Sequence, residues 1–209
     1  GKTAGPLLGL KLALARKRAE RRRQRSRDPI PVVAIVGYTN AGKSTLLNTL
    51  TSAGVLAEDR LFATLDTRAR RLRLGGGAEC ILTDTVGFIR DMPRDLFAAF
   101  RATFEEAADA DLLLEVVDAA DPEFDEHLRT TAEVLEQLGI DQLPRLVVYN
   151  KIDRLPLATR LALAREPGAV AISALERATT QELVSHIAVE LAAAARSAHA
   201  PGAVADPPG

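Results

Sequence analysis

Val32-Val33-Ala34-Ile35-Val36-Gly37-Tyr38-Thr39-Asn40-Ala41-Gly42-Lys43-Ser44-Thr45-Leu46-Leu47 is the stretch on which the fold turns. Val32 to Val36 form an unbroken apolar run of strand length, and Thr45 to Leu50 read as the opening turns of a helix. Gly37 to Ser44 lie between them with the spacing G-x-x-x-x-G-K-S. Glycines there let the backbone turn tightly around an anion. The helix start aims free N–H groups and the positive end of its dipole at that anion, and Lys43 adds a point charge. Ser44 offers a hydroxyl to a magnesium ion. Gly37, Tyr38, Thr39, Asn40, Ala41, Gly42, Lys43, Ser44 and Thr45 are therefore candidate phosphate-binding residues.

The base is decided further along. Leu146-Val147-Val148-Tyr149 reads as a buried strand that ends in Asn150-Lys151-Ile152-Asp153. A carboxylate at Asp153 can accept from both the ring N1–H and the exocyclic amino group of guanine, a pair that adenine does not present. Adenine would leave that carboxylate buried without a donor, so roughly thousandfold selectivity is within reach. Lys151 can lay its methylenes over the base. Ala171-Ile172-Ser173-Ala174-Leu175 ends another strand, which places the Ala174 N–H to meet guanine O6. Between the two regions, Asp84-Thr85-Val86-Gly87 follows the apolar Cys80-Ile81-Leu82. A strand-end carboxylate beside phosphates can hold magnesium through water, and Gly87 lets its backbone N–H approach a γ-phosphate.

Taken in order, the phosphate loop, Phe62-Ala63-Thr64-Leu65-Asp66, Asp84-Thr85-Val86-Gly87-Phe88-Ile89-Arg90, Asn150-Lys151-Ile152-Asp153 and Ser173-Ala174 resemble the motifs of translation-factor-class P-loop GTPases. More narrowly, Leu61 to Thr67, and Asp84 to Arg90 followed by Pro93 and Ala98-Ala99-Phe100-Arg101-Ala102-Thr103, resemble the HflX family of ribosome-associated GTPases. The likeness covers residues 30 to 190. It implies a magnesium-dependent GTPase that binds GTP and GDP and associates with the large ribosomal subunit, rRNA and protein together, in splitting or rescuing stalled ribosomes.

Carried onto this chain, the resemblance gives Lys43 the β- and γ-phosphate charge, and makes Ser44 and Thr64 direct magnesium ligands. Asp84 becomes a partner of the ion through water. Lys43, Thr64 and Gly87 become the catalytic set. Phe62, Ala63, Thr64, Leu65 and Asp66 form the first switch, with Thr67 as the alternative threonine; Thr85, Val86 and Gly87 belong to the second. Thr64 can meet metal or phosphate only while the γ-phosphate is present, so its loss would free the loop. One departure bears on rate. Many regulatory GTPases carry a glutamine directly after the Asp-x-x-Gly glycine, whereas Phe88 stands there and has no hydrogen-bonding group. A slow intrinsic rate follows, with a partner completing the site. Asn40 also sits in a context similar to potassium-activated GTPases, so K+ is a second candidate ion; alternatively, asparagine simply tolerates the loop's unusual dihedrals.

The chain has 209 residues, 47% of them hydrophobic, which suffices for one domain with a substantial core. Strands alternating with amphipathic segments predict an α/β fold, a doubly wound and mostly parallel sheet. Helices are predicted at Lys43 to Leu50, Leu96 to Ala108, Glu123 to Leu138, Leu157 to Arg165 and Thr179 to Ala195, and a central strand at Leu112 to Val117. Glu115 within that strand has no evident reason, and Asp118 at its end reads as a structural cap rather than a ligand. The single cysteine, Cys80, excludes an internal disulfide. His127, His186 and His199 show no ligand spacing. No run approaches eighteen apolar residues, so no membrane span is expected; a cytoplasmic monomer is the default expectation.

The formal net charge of −1 hides an asymmetry: residues 1 to 27 carry ten Lys or Arg and one Glu. Residues 1–28 thus read as a basic helical arm suited to phosphate backbones, 29–196 as the GTPase domain, and 197–209, with three prolines and two glycines, as a flexible tail. The HflX resemblance implies that the arm is the end of a longer charged helix. Two rivals stay open: another ribosome-assembly or tRNA-modification GTPase, and a nucleotide-gated binding module with negligible hydrolysis.

Overall fold

The computed structural model describes residues 30–52, 69–84 and 107–199. Six strands form one sheet: β1 (Val32–Val36), β2 (Ala69–Gly75), β3 (Ala78–Asp84), β4 (Leu112–Asp118), β5 (Arg145–Asn150) and β6 (Ala169–Ala171). Their order is β2-β3-β1-β4-β5-β6, parallel throughout except for the antiparallel β2–β3 hairpin at one edge. The mostly parallel α/β sheet expected from sequence is thus present.

Alternation along the central strands sorts side chains to two faces. Val33 and Ile35 of β1 join Leu112, Leu114 and Val116 of β4 in one core. Leu46, Leu47 and Leu50 of helix α1 (Lys43–Ser52) and Leu183, Ile187 and Leu191 of helix α4 (Arg177–His199) close it. Ala34, Val36 and Leu113 face the other way, onto Val134 and Leu135 of helix α2 (Phe124–Gln137). In α2 the buried His127, Thr131, Val134 and Leu135 recur at helical spacing. A short helix α3 (Leu157–Leu163) leads into β6.

The predicted α2 is one residue longer at each end than the observed one, and α3 stops two residues before the predicted Arg165. Helix α4 is longer than expected at both ends and runs to His199, past the boundary predicted at residue 196. Alanine-rich sequence with high helix propensity continues it there. Strand β2 has no counterpart in the sequence prediction. As an edge strand it buries only one side-chain face, through Leu72, while its arginines stay exposed. The predicted helix Leu96 to Ala108 lies outside the described residues apart from its last two, as do the basic arm and residues 200–209.

The phosphate loop leaves β1 between its neighbours β3 and β4, where the strand order reverses direction. In open α/β sheets this crevice, at the carboxyl ends of the strands, is where ligands bind.

Candidate nucleotide site

Backbone geometry at the end of β1 explains the loop's glycines. Gly37 has φ +139, and a Cβ there would lie 2.1 Å from the Val116 carbonyl oxygen. Gly42 has φ +94, and a Cβ would lie 2.4 Å from Asn150 Nδ2. Neither position accepts a side chain, so the loop runs directly against β4 and the end of β5. Asn40 adopts φ +61, the left-handed region that asparagine enters more readily than most residues. That conformation accounts for the residue type, and the potassium reading gains no support.

Lys43 opens α1 at 7% exposure and donates from Nζ to the Tyr38 carbonyl oxygen at 2.8 Å. Burial lowers its pKa, opposed by the nearby Asp84 carboxylate. The parallel register pairs Ile35 with Asp84, which brings that carboxylate level with the loop. Ser44 Oγ donates to Asp84 Oδ2 at 2.9 Å, while Asp84 Oδ1 is buried with no hydrogen-bond partner. A hydroxyl touching a carboxylate with an orphaned oxygen is a hard-oxygen donor set suited to magnesium.

On the other side, Asn150 is 2% exposed and joins two loops. Its Nδ2 donates to the Ala41 carbonyl at 2.8 Å, and its Oδ1 accepts from the Ala174 N–H at 2.9 Å. The N–H expected to face guanine is therefore already engaged within the protein. Lys151, at φ +66, sends Nζ to the Asn40 carbonyl at 2.8 Å and to Asp118 Oδ2 at 2.6 Å. Its methylenes thus span from the end of β5 to the phosphate loop as a wall.

Asp153 lies in the 3-10 turn Ile152–Arg154. Arg160 of α3 holds that turn by donating to the carbonyls of Asp153 at 3.0 Å and Leu155 at 2.8 Å. Among the described residues nothing pairs with the Asp153 carboxylate. Thr49 of α1 donates to the Ala174 carbonyl at 2.8 Å, and Thr179 Oγ1 accepts from the Ser173 N–H at 3.1 Å. Leu175 donates its N–H to Ser173 Oγ at 3.3 Å and leaves its side chain exposed.

The structure thus gathers Gly37 to Ser44, Asp84, Asn150 to Asp153 and Ser173 to Ala174 around one crevice. Thr64 and its neighbours Phe62, Ala63, Leu65 and Asp66 lie outside the described residues, as do Thr85, Val86, Gly87 and Phe88. Several supporting residues were invisible in the sequence. Asp118 caps the chain through Ala120 N–H at 3.0 Å, as expected, and in addition anchors Lys151. The register that sets Asp118 opposite Asn150 makes this possible. His127, given no role from sequence, stacks on Tyr38 with ring centroids 3.9 Å apart and planes 9° apart. Thr49, Thr179 and Arg160 likewise carry no local signal; a hydroxyl or guanidinium on a helix reads only as a side chain facing water until the neighbouring loop is placed.

The model of the 50S ribosome-binding GTPase family matches residues 32–151. The chain is 56% identical over 144 residues to the GTPase HflX of Caldanaerobacter subterraneus subsp. tengcongensis, covering 69% of this chain and 34% of that relative. Against the GTPase HflX of Escherichia coli K12 identity is 49% over 140 residues, or 67% of this chain and 33% of the other. The chain therefore spans about a third of the length of the curated relatives it matches. Among solved structures, a GTP-binding protein from the archaeon Sulfolobus solfataricus in complex with GDP superposes with a TM-score of 0.64 at 26% identity, over 92% of this chain and 68% of that one. By its sequence and its fold, this chain belongs to the 50S ribosome-binding GTPase family and, within it, to the HflX GTPases.

Proposed function

We propose that this chain binds GTP with magnesium, hydrolyses it to GDP and phosphate at a slow intrinsic rate, and associates with the large ribosomal subunit in a nucleotide-controlled manner. Asn150 is the observation that carries this reading. By bonding both Ala41 and Ala174 it ties the phosphate loop to the Ser173-Ala174 loop, beside the turn that carries Asp153. Asp153 would accept from the guanine N1–H and amino group. The Ala174 N–H would share its bond between Asn150 and O6, and Lys151 would cover the base face.

On the phosphate side, Lys43 would turn from the Tyr38 carbonyl to the β- and γ-oxygens. Ser44, Thr64 and, through water, Asp84 would hold magnesium, which would supply positive charge against the charge on the phosphates. Gly87 would present its N–H to the γ-phosphate, and Thr64 would order the first switch only while that group is present. Phe88 supplies nothing that orients the attacking water, so a ribosomal contact would complete the site. Splitting or rescue of stalled ribosomes, in the cytoplasm, is the process this cycle would serve.

Calorimetry with GTP, GDP and ATP tests the base side: binding of the guanine nucleotides at least a hundredfold tighter than ATP is expected, and equal affinities would overturn the assignment. Phe88 favours a second reading, a binding module with negligible turnover. Phosphate release measured with and without large subunits separates them, since only the GTPase reading expects stimulation.

A further inference from the structure

Strand β2 carries Arg70, Arg71 and Arg73, all exposed, at the edge of the sheet among the described residues. Arg71 is partly neutralised by Glu79 across the hairpin, at 3.3 Å; among the described residues no carboxylate pairs with Arg70 or Arg73. The hairpin turns through Gly75, Gly76 and Gly77 at φ +90, +60 and +84, and a Cβ at any of them would meet nothing within 4 Å. The left-handed backbone of the turn, rather than any crowding, calls for glycine there, and it leaves the tip bare. Beside it lies a recess of about 310 Å³ lined by Arg73, Gly75, Gly77, Ala78 and Glu79. Guanidinium groups on both faces of an edge strand, Arg70 on one and Arg71 and Arg73 on the other, next to a tip without side chains, suit close approach to a polyanionic backbone.

We propose that the β2–β3 hairpin is an RNA-contacting finger, in which Arg70 and Arg73 bind phosphates of the large-subunit rRNA while the glycine tip lets that backbone come close. This rests on the ribosome reading above. The competing account is that basic residues merely keep a bare edge strand from pairing with other chains.

Cosedimentation of the full chain with isolated large subunits, with a non-hydrolysable GTP analogue and at graded potassium chloride, tests it. For the Arg70→Gln/Arg73→Gln variant, the slope of log affinity against log salt should fall by about two, and affinity near 0.1 M salt roughly tenfold or more. GTP affinity and basal turnover should stay as in the parent. Glu79→Gln, which frees Arg71, should tighten binding severalfold, a gain that misfolding would not produce. An unchanged slope in the double variant overturns the finger but leaves ribosome binding standing; failure of the parent chain to sediment overturns both. The buried Cys80 is the only native cysteine, so Ala78→Cys can carry a single iron chelate at the exposed tip. Hydroxyl-radical cuts in the rRNA are expected there, and their absence from a bound complex would assign the contact to ribosomal protein and overturn the proposal.

Discussion

On the base side of the crevice, Asn150 closes bonds through both its oxygen and its nitrogen, and Lys151 divides its ammonium between a carbonyl and a carboxylate. On the phosphate side, among the described residues, Asp84 keeps one oxygen buried and unpartnered, and Lys43, desolvated, holds a single carbonyl although an ammonium offers three donors. In the first region the Asn150 and Lys151 side chains are bonded within the protein, with the Asp153 carboxylate left over; the second holds buried polar groups whose bonding capacity is only partly used. Buried polar groups left in that condition cost free energy that a bound anion and cation can recover. On the guanine-nucleotide reading proposed above, selectivity for the base would come with the fold, and binding energy would be released on the phosphate side.

Lys43→Ala attacks the second region and should have the largest effect. Two charge-assisted phosphate contacts disappear, about 4 kcal/mol or a thousandfold in GTP affinity by calorimetry, with little loss of melting temperature, because the buried charge goes too. Nearly unchanged affinity would refute the contrast.

Glu115 tests the floor that both regions share. It is 1% exposed on β4, in register with Val36 and Val147, and Arg145 lies 3.2 Å away. Burial raises its pKa from 4.5 to about 7, against the pull of Arg145. Between those values the folded chain keeps a proton that the unfolded chain has released. Stability should therefore fall as pH rises through that window and level off above it, by on the order of 3 kcal/mol. Glu115→Gln should flatten this profile in thermal melts at pH 5 and pH 8; a profile as steep as the parent's would remove the explanation.

Asn150→Ala should damage the base side as structure rather than as a contact. It orphans the Ala41 carbonyl and the Ala174 N–H, both inside the site, for about 2 to 3 kcal/mol of stability in urea titrations. A variant with parental stability would show that the two loops hold without it. His127→Ala, which strips the stack from Tyr38 beneath the phosphate loop, should cost about 1 kcal/mol. If it lowers GTP affinity more than stability, the stack positions the loop as well as packing it.

Much of the site was legible because its chemistry is contiguous. Gly37 to Ser44 and Asn150 to Asp153 each place their functional atoms within a few residues, at the end of an apolar run that announces a strand. Strand β2 escaped because Ala-Arg-Arg-Leu-Arg-Leu-Gly shows too little apolar sequence for a strand that buries one face at the rim. Glu115 looked inexplicable because its partner, Arg145, begins a strand thirty residues later.

What the amino-acid order determined alone was the glycine loop before α1, the Asn-Lys-Ile-Asp turn after β5 and the alternation of strands and helices, since each depends on spacing along a few consecutive residues. Only the tertiary structure decided that Asp118 anchors Lys151, that His127 supports Tyr38, that Asn150 ties two loops and that three arginines line an open edge. The three pairings follow from strand order and helix packing, which bring together groups far apart in the chain, and the edge position of β2 follows from the strand order; no local pattern of side chains encodes either.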